Sequence, residues 1–531
     1  MTKVKNAIIL AAGRSFSFAP FSYELPKALF KVKGETLIER QIKQLKEAGV
    51  EHIVVVIGHM REKMFFLEQK HGVTIIANPV YASTCSVYSL YLAKDYLEDS
   101  FVCACDNYYP ENLFMQHNDS SKSYHQLVRY NPEEKEIGAE IDDEGRICKI
   151  CINKAASYSV AGYTYFNKDT ADSFIRKYDE SKNGFSINRF FWEEFLGQNL
   201  DEIPMYGKVF DRSQILEFDT VEEVRKFDPD LIENLNSNIA RNICEVIRCE
   251  KSDIKNIRAI AKGLTNVSFI FEVEGNKYVY RHPGGTSSNF VSRPSEHFSQ
   301  NLAYRIGIDG TLVYIHPTDG WKISRYVEDT YDFDYSDKIA FRKILQKIRN
   351  LHTCGEKSKY EFDILKGADL LLNEACKVNS SLREEFAELR AKVVRLHHFT
   401  EADNVSKCIC HNDCYYPNFL VSPKEIHLID WEFTGMGDPA NDFAAIVSRD
   451  EFPTQEDMES VLEMYFGRKP TPFEHRHYLA YVPINAWYYF CWSLFKDSVN
   501  ESNGYFMHNT YRKCTGMIDQ MLNEYTKCYE Q

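Results

Sequence analysis

The sequence predicts two domains: an α/β domain with a mostly parallel sheet in the first half and a bilobal α+β domain in the second. Three observations predict this. Short apolar, strand-like runs alternate with helical patterns from Ala7 to Cys105. A polar stretch with Pro229 and several asparagines, Asp228–Asn242, interrupts the patterning. Beyond it, Cys410–Phe433 reads CHNDCYYPNFLVSPKEIHLIDWEF, a polar loop followed by a strand that ends in aspartate. At 531 residues the chain exceeds one ordinary core. The expected division is 1–228, a connector at 229–242, and 243–531.

Composition narrows the class. Hydrophobic residues at 44% and charged residues at 26% describe a globular protein. The formal charge of −14 argues against nucleic acid or an anionic membrane as a general partner, while leaving room for small anionic substrates. The 15 cysteines are scattered and odd in number, and the start MTKVKNAIILAAG lacks the pattern of a signal peptide. The expectation is therefore free thiols in a reducing cytoplasm. Cys148 and Cys151 form a C-x-x-C without a second pair, inside the strand-like alternation RICKICI. Tyr478–Phe495 is 18 residues without formal charge. Pro483, Asn485 and its tyrosines favour a buried helix lining a pocket over a membrane span.

In the first half, Ala7–Leu10 reads as a buried parallel strand feeding the small-residue turn Ala11-Ala12-Gly13. Thr36–Gly49 carries helical spacing at Leu37, Ile38, Ile42, Leu45 and Ala48, with Gly49 as a stop. His52–Gly58, Val73–Ala77 and Phe101–Cys105 are the next strands. Ligands of such sheets bind beyond the strands' carboxyl ends. That rule selects the turn Ala11–Arg14, whose amides suit a phosphate, and Asp106, whose carboxylate suits magnesium. Lys27 in LPKAL supplies a nearby positive charge.

The combination IILAAG, LPKAL, LIERQI, Asp106-Asn107-Tyr108 and EFDTVEE (Glu217–Glu223) resembles nucleotidyltransferases, Rossmann-like in fold, and among them the bacterial CTP:phosphocholine cytidylyltransferases. The resemblance runs from about Lys5 to Phe227. It implies that Asp106 and Asp219 jointly hold Mg2+, and that Lys27 lies near the CTP phosphates. The family loop reads L-A-A-G-x-G-S-R-x-x-P. Here Ser15 replaces a glycine, Ser17 replaces an arginine, and Arg14 is the displaced candidate to meet the triphosphate. Phosphocholine carries a quaternary ammonium, which aromatic faces attract, and Trp192 is the first candidate wall.

In the second half, Ala259–Glu274 reads as two strands around a turn whose Gly263, Thr265 and Asn266 fold over nucleotide phosphates. Tyr278–Arg281 alternates as a strand with Arg281 at its end, a position that resembles the phosphate-contacting cation of small-molecule kinases and implies Glu296, on the following helix, as its partner. By analogy with small-molecule kinases, Trp321–Val327 resembles the segment that links the lobes and borders the adenine. Asp413 lies two residues after His411, Asn418 five further on, and Asp430 follows Leu428–Ile429. Asp413 suits a base that orients a hydroxyl; Asn418 and Asp430 suit the hard-oxygen shell of magnesium. This H-x-D-x(4)-N spacing resembles the catalytic loop of protein kinases.

With LIDWE and GDPANDFA added, residues from about Ile257 to Tyr505 resemble the choline/ethanolamine kinase and aminoglycoside phosphotransferase superfamily. The resemblance implies ATP as phosphoryl donor, a structural role for Asp442, and a choline site walled by Trp431, Glu432, Trp487, Tyr489 and Trp492. Together the two resemblances imply consecutive steps: choline to phosphocholine with ATP, then phosphocholine and CTP to CDP-choline and pyrophosphate, a head-group donor for surface glycans or lipids. Two alternatives stand beside this expectation. One is a sugar-phosphate nucleotidyltransferase fused to an aminoglycoside-type or ethanolamine kinase. The other is an active kinase whose first domain, weakened at Ser15 and Ser17, only binds ligand.

Overall fold

The computed structural model describes residues 4–118, 121–131, 137–152, 156–182, 187–260, 267–284, 290–499, 501 and 503–529. The chain forms two compact units, residues 1–260 with 269–276 and residues 261–268 with 277–531.

The first unit is built on a nine-stranded sheet. Its central strand Asn6–Ala11 pairs in parallel with His52–Ile57 on one side and Ser100–Ala104 on the other. His52–Ile57 pairs in parallel with Thr74–Ala77. Beyond Ser100–Ala104 the sheet turns antiparallel through Tyr158–Phe166, Ile137–Ile141 and Ile147–Ile152. The last of these contains the C-x-x-C, in strand as its alternation predicts. The near-continuous apolar runs fit strands covered on both faces. Apolar side chains fill two layers, one around Ile9, Val55 and Phe101, the other around Ile8, Val54 and Val102.

The helix Leu37–Glu47 starts where the Thr36 hydroxyl accepts from the Glu39 N–H. Its apolar face carries Leu37, Ile38, Ile42 and Leu45 into the core, and Gln41 and Gln44 are buried with them. Two amides inside an apolar face need partners. Gln41 Nε2 donates to the carbonyls of Ala104 (2.9 Å) and Asn107 (2.7 Å), and Gln44 Nε2 to that of Tyr109 (3.0 Å). The helix therefore clamps the loop that carries Asp106. Residues 229–242, expected as a connector, contain the short helix Leu231–Asn234 and begin the helix Asn238–Ile247. Glu24 accepts from the backbone of Asn238 at 2.9 Å, which ties this segment to the first unit.

In the sheet of the second unit, Lys322–Arg325 lies between Asn276–His282 and Leu312–Ile315 and pairs antiparallel with both. The unit's larger part is helical, around the 27-residue helix Pro472–Ser498. That helix is buried along Tyr478–Cys491, which explains its uncharged sequence: neighbouring helices surround it, and Pro483 sits inside it. Among the described residues no helix is long and apolar enough to cross a membrane.

Candidate active sites

In the first unit, strand Ser100–Ala104 delivers Asp106 just past its carboxyl end. Lys27 Nζ lies 2.7 Å from Asp106 Oδ2 and 4.3 Å from the centre of the Phe18 ring. Burial alone would lower the Lys27 pKa, but the Asp106 carboxylate, with a weaker contribution from Asp219, raises it above the ordinary lysine value. The other Asp106 oxygen, Oδ1, is buried without a hydrogen-bond partner. A buried, unsatisfied carboxylate oxygen is costly unless a ligand meets it. Asp219 arrives through a short ladder in which Glu217 pairs with Asn107 and Leu216 with Tyr108. The ladder brings the two aspartates, far apart in sequence, to the same end of one antiparallel pair. A hard-oxygen donor set with an orphaned oxygen fits Mg2+.

The turn places Ala11 and Ala12 in the core, with Gly13 and Arg14 exposed beyond them. The Ala12 carbonyl accepts from the His59 N–H at 3.1 Å. Ser15 adopts φ +51°, the left-handed region, at the position where the family loop has glycine. The Arg14 guanidinium rests against Phe16 (5.8 Å) and Tyr81 (5.7 Å). Trp192 is buried, stacked 5.2 Å from His125. Its sequence neighbour Glu193 is one residue the sequence reading missed. Burial, with Asp106 adding to it, pushes the Glu193 carboxyl up to about 7.

In the second unit, strand Cys408–Cys410 leads into the loop of Asp413 and is held against Gly435–Gly437. Two residues there adopt left-handed φ, Asn412 (+67°) and Asp430 (+65°). Asparagine and aspartate tolerate that region better than most side chains. Their surroundings hold them. Asp442 accepts from the N–H of Asn412 (2.6 Å) and of His411 (2.9 Å), and pairs with His352 at 2.9 Å. Asn441 Nδ2 donates to Asn412 Oδ1 (2.9 Å) and Asn485 Nδ2 to Asn441 Oδ1 (2.9 Å).

Asp413 sits between two donors: Tyr489 Oη at 2.5 Å from Oδ1 and Asn418 Nδ2 at 2.9 Å from Oδ2. With its amide nitrogen turned to Asp413, Asn418 keeps its hard carbonyl oxygen for a cation. Arg281 Nη1 donates to Asp430 Oδ1 at 2.9 Å, and Arg281 also binds Glu296 and the Gly320 carbonyl. Gly320 has φ +72°, and a Cβ there would lie 2.3 Å from Arg293 Cδ. Lys322, which the sequence reading passed over inside WKISR, stands opposite Arg281 in the strand pair. Burial holds the Lys322 pKa below the ordinary lysine value, and the Arg281 charge pushes the same way. Burial works against the Asp430 carboxylate, yet Arg281 and Lys322 hold its pKa below the usual range. Two positive charges beside one aspartate suit the phosphates of a nucleotide.

Of the expected aromatic walls, Trp431 and Trp487 lie inside the core, Trp431 with its indole N–H on the Leu428 carbonyl at 2.8 Å. Glu432 is buried 4.0 Å from Arg293. Tyr489 donates to Asp413, and half-buried Trp492 meets Phe506 edge-on at 6.1 Å. Gly263, Thr265 and Asn266 lie outside the described residues.

The fold and the two sites define a chain of two transferase domains, a nucleotidyltransferase followed by a kinase-like phosphotransferase. Residues 7–136 match the MobA-like NTP transferase domain, and residues 332–478 the phosphotransferase enzyme family. Through its first half the chain belongs to the nucleotidyltransferase family that includes the choline-phosphate cytidylyltransferase of Streptococcus pneumoniae. It is 30% identical to that protein over 231 residues, 44% of this chain and 100% of the relative. The second half is similar to Protein LicA of Haemophilus influenzae, 23% identical over 258 residues, 46% of this chain and 74% of that protein. A solved structure of the choline kinase LicA from Streptococcus pneumoniae superposes with a TM-score of 0.46 at 21% identity, covering 53% of this chain and 98% of that one.

Proposed function

We propose that the chain phosphorylates choline with ATP in its second unit and transfers CMP from CTP to the resulting phosphocholine in its first, in a cytoplasmic setting. The carrying observation is the fusion itself. A half that is 30% identical to a choline-phosphate cytidylyltransferase is joined to one whose half-buried carboxylate, Asp413, lies beside aromatic faces that hold a cation.

In the first step Asp413 orients the choline hydroxyl and takes its proton as the oxygen attacks the γ-phosphorus, and ADP leaves. Arg281 and Lys322 balance the phosphate charge. In the second step a phosphocholine oxygen, already anionic, attacks the α-phosphorus of CTP, and pyrophosphate leaves. Lys27 steadies the charge that develops there. Asp430 with Asn418, and Asp106 with Asp219, are the residues that would hold Mg2+, which when bound neutralises phosphate charge.

Asp106→Ala tests the assignment of the two steps. It is expected to lower CDP-choline formation at least a hundredfold while choline phosphorylation stays within twofold. Loss of both activities, or of neither, contradicts the assignment.

A further inference from the structure

We propose that the Arg449 guanidinium occupies the cation subsite of the kinase half as an internal competitor that the cationic substrate must displace. This rests on the choline reading above.

The Arg449 Cζ lies 4.6 Å from the centre of the Tyr415 ring, 4.7 Å from Tyr489 and 4.7 Å from Phe506. Its Nε is buried without a hydrogen-bond partner. The charge is therefore held by ring faces contributed by three separate segments. Such a cage attracts a weakly hydrated cation, whether guanidinium or quaternary ammonium.

Its position relative to the base gives the cage its meaning. One of the rings, Tyr489, also donates to Asp413 at 2.5 Å. In choline two methylenes separate the hydroxyl from the ammonium. A choline whose hydroxyl meets Asp413 must therefore set its ammonium within a few ångströms, over the same group of rings. Two positive charges do not share one low-dielectric cage without strong repulsion. Arg449 follows the helix Pro439–Val447, which anchors the loop of Asp413 through Asp442, so displacement by a substrate falls to its long side chain and not to its backbone. Binding then exchanges one cation for another, and choline gains only the difference in affinity.

The test measures steady-state kinetics of the full chain with choline and with its uncharged isostere 3,3-dimethylbutan-1-ol. Arg449→Gln and Arg449→Met remove the charge; Arg449→Met keeps the apolar stem should Arg449→Gln fold poorly. Either variant is expected to lower the KM for choline at least fivefold, and the KM for the neutral isostere by less. Arg449→Lys, which restores a cation, is expected to return the choline KM to within twofold of the parent. An unchanged or higher choline KM in both uncharged variants overturns the proposal. So does a fall in kcat at constant KM, which would confine Arg449 to favouring the ionised form of Asp413. If the parent chain does not phosphorylate choline at all, the functional reading fails together with the proposal; if it does and the KM is insensitive, only the proposal fails.

Discussion

Asp413 combines two demands that oppose each other. It must be ionised to accept a proton, yet burial, with Asp430 adding to it, pushes its pKa above the ordinary aspartate value, while the Tyr489 hydroxyl, His411 and Arg449 pull the other way. Phosphorylation is therefore expected to rise with pH through the Asp413 pKa, and Tyr489→Phe removes one of the groups that favour the ionised form. The acidic limb of kcat against pH is expected to move to higher pH in Tyr489→Phe; an unmoved or lowered limb would show that this hydrogen bond does not tune the base. Ser15 illustrates a residue-scale cost of a different kind. At φ +51° a side chain is disfavoured and glycine is not. Ser15→Gly is expected to stabilise the first unit by about 1 kcal/mol, read as a higher urea midpoint. A lower midpoint would mean that the serine hydroxyl holds the loop.

At the scale of elements, helices position the catalytic loops through buried polar side chains. Gln41 and Gln44 fix the loop of Asp106 from the helix Leu37–Glu47, and Asp442 fixes the loop of Asp413 from Pro439–Val447. Burial disfavours the Asp442 carboxylate, but His352 and His411 hold its pKa below the ordinary value. A depressed carboxylate stabilises the fold above its unfolded pKa, and the contribution is lost as pH falls through its folded pKa. Asp442→Ala strands His352 and two backbone N–H groups in the interior. It is expected to cost about 3–5 kcal/mol in the denaturant unfolding of the second half. A cost under about 1 kcal/mol, the range of an exposed pair, would contradict this role.

These elements also show what was legible in the sequence. Alternating apolar runs announced the parallel strands, and the H-x-D-x(4)-N spacing announced the loop, because both are local patterns. Asp106 and Asp219 could be put in one site only through resemblance, since a short ladder between distant segments joins them. Lys322 was illegible because its position opposite Arg281 depends on strand register. Trp431 and Trp487 read as substrate walls, but aromatic content does not say which face of an element turns inward, and both lie in the core. Arg449 gave no signal at all, because its cage is assembled from three segments.

At the scale of the whole molecule, each compact unit carries its own core and its own acidic site. The product of one chemistry is the acceptor of the other, so the fusion needs no shared active site to be useful. The central claim is that one chain performs both steps in order on one cationic alcohol. The most direct measurement is a time course of purified chain with choline, ATP, CTP and Mg2+, following phosphocholine, CDP-choline and pyrophosphate. The account predicts that phosphocholine appears first and that CDP-choline and pyrophosphate follow in equal amounts. Omitting ATP abolishes both products unless phosphocholine is supplied. Phosphocholine that accumulates without CDP-choline, or no phosphocholine at all, would contradict it.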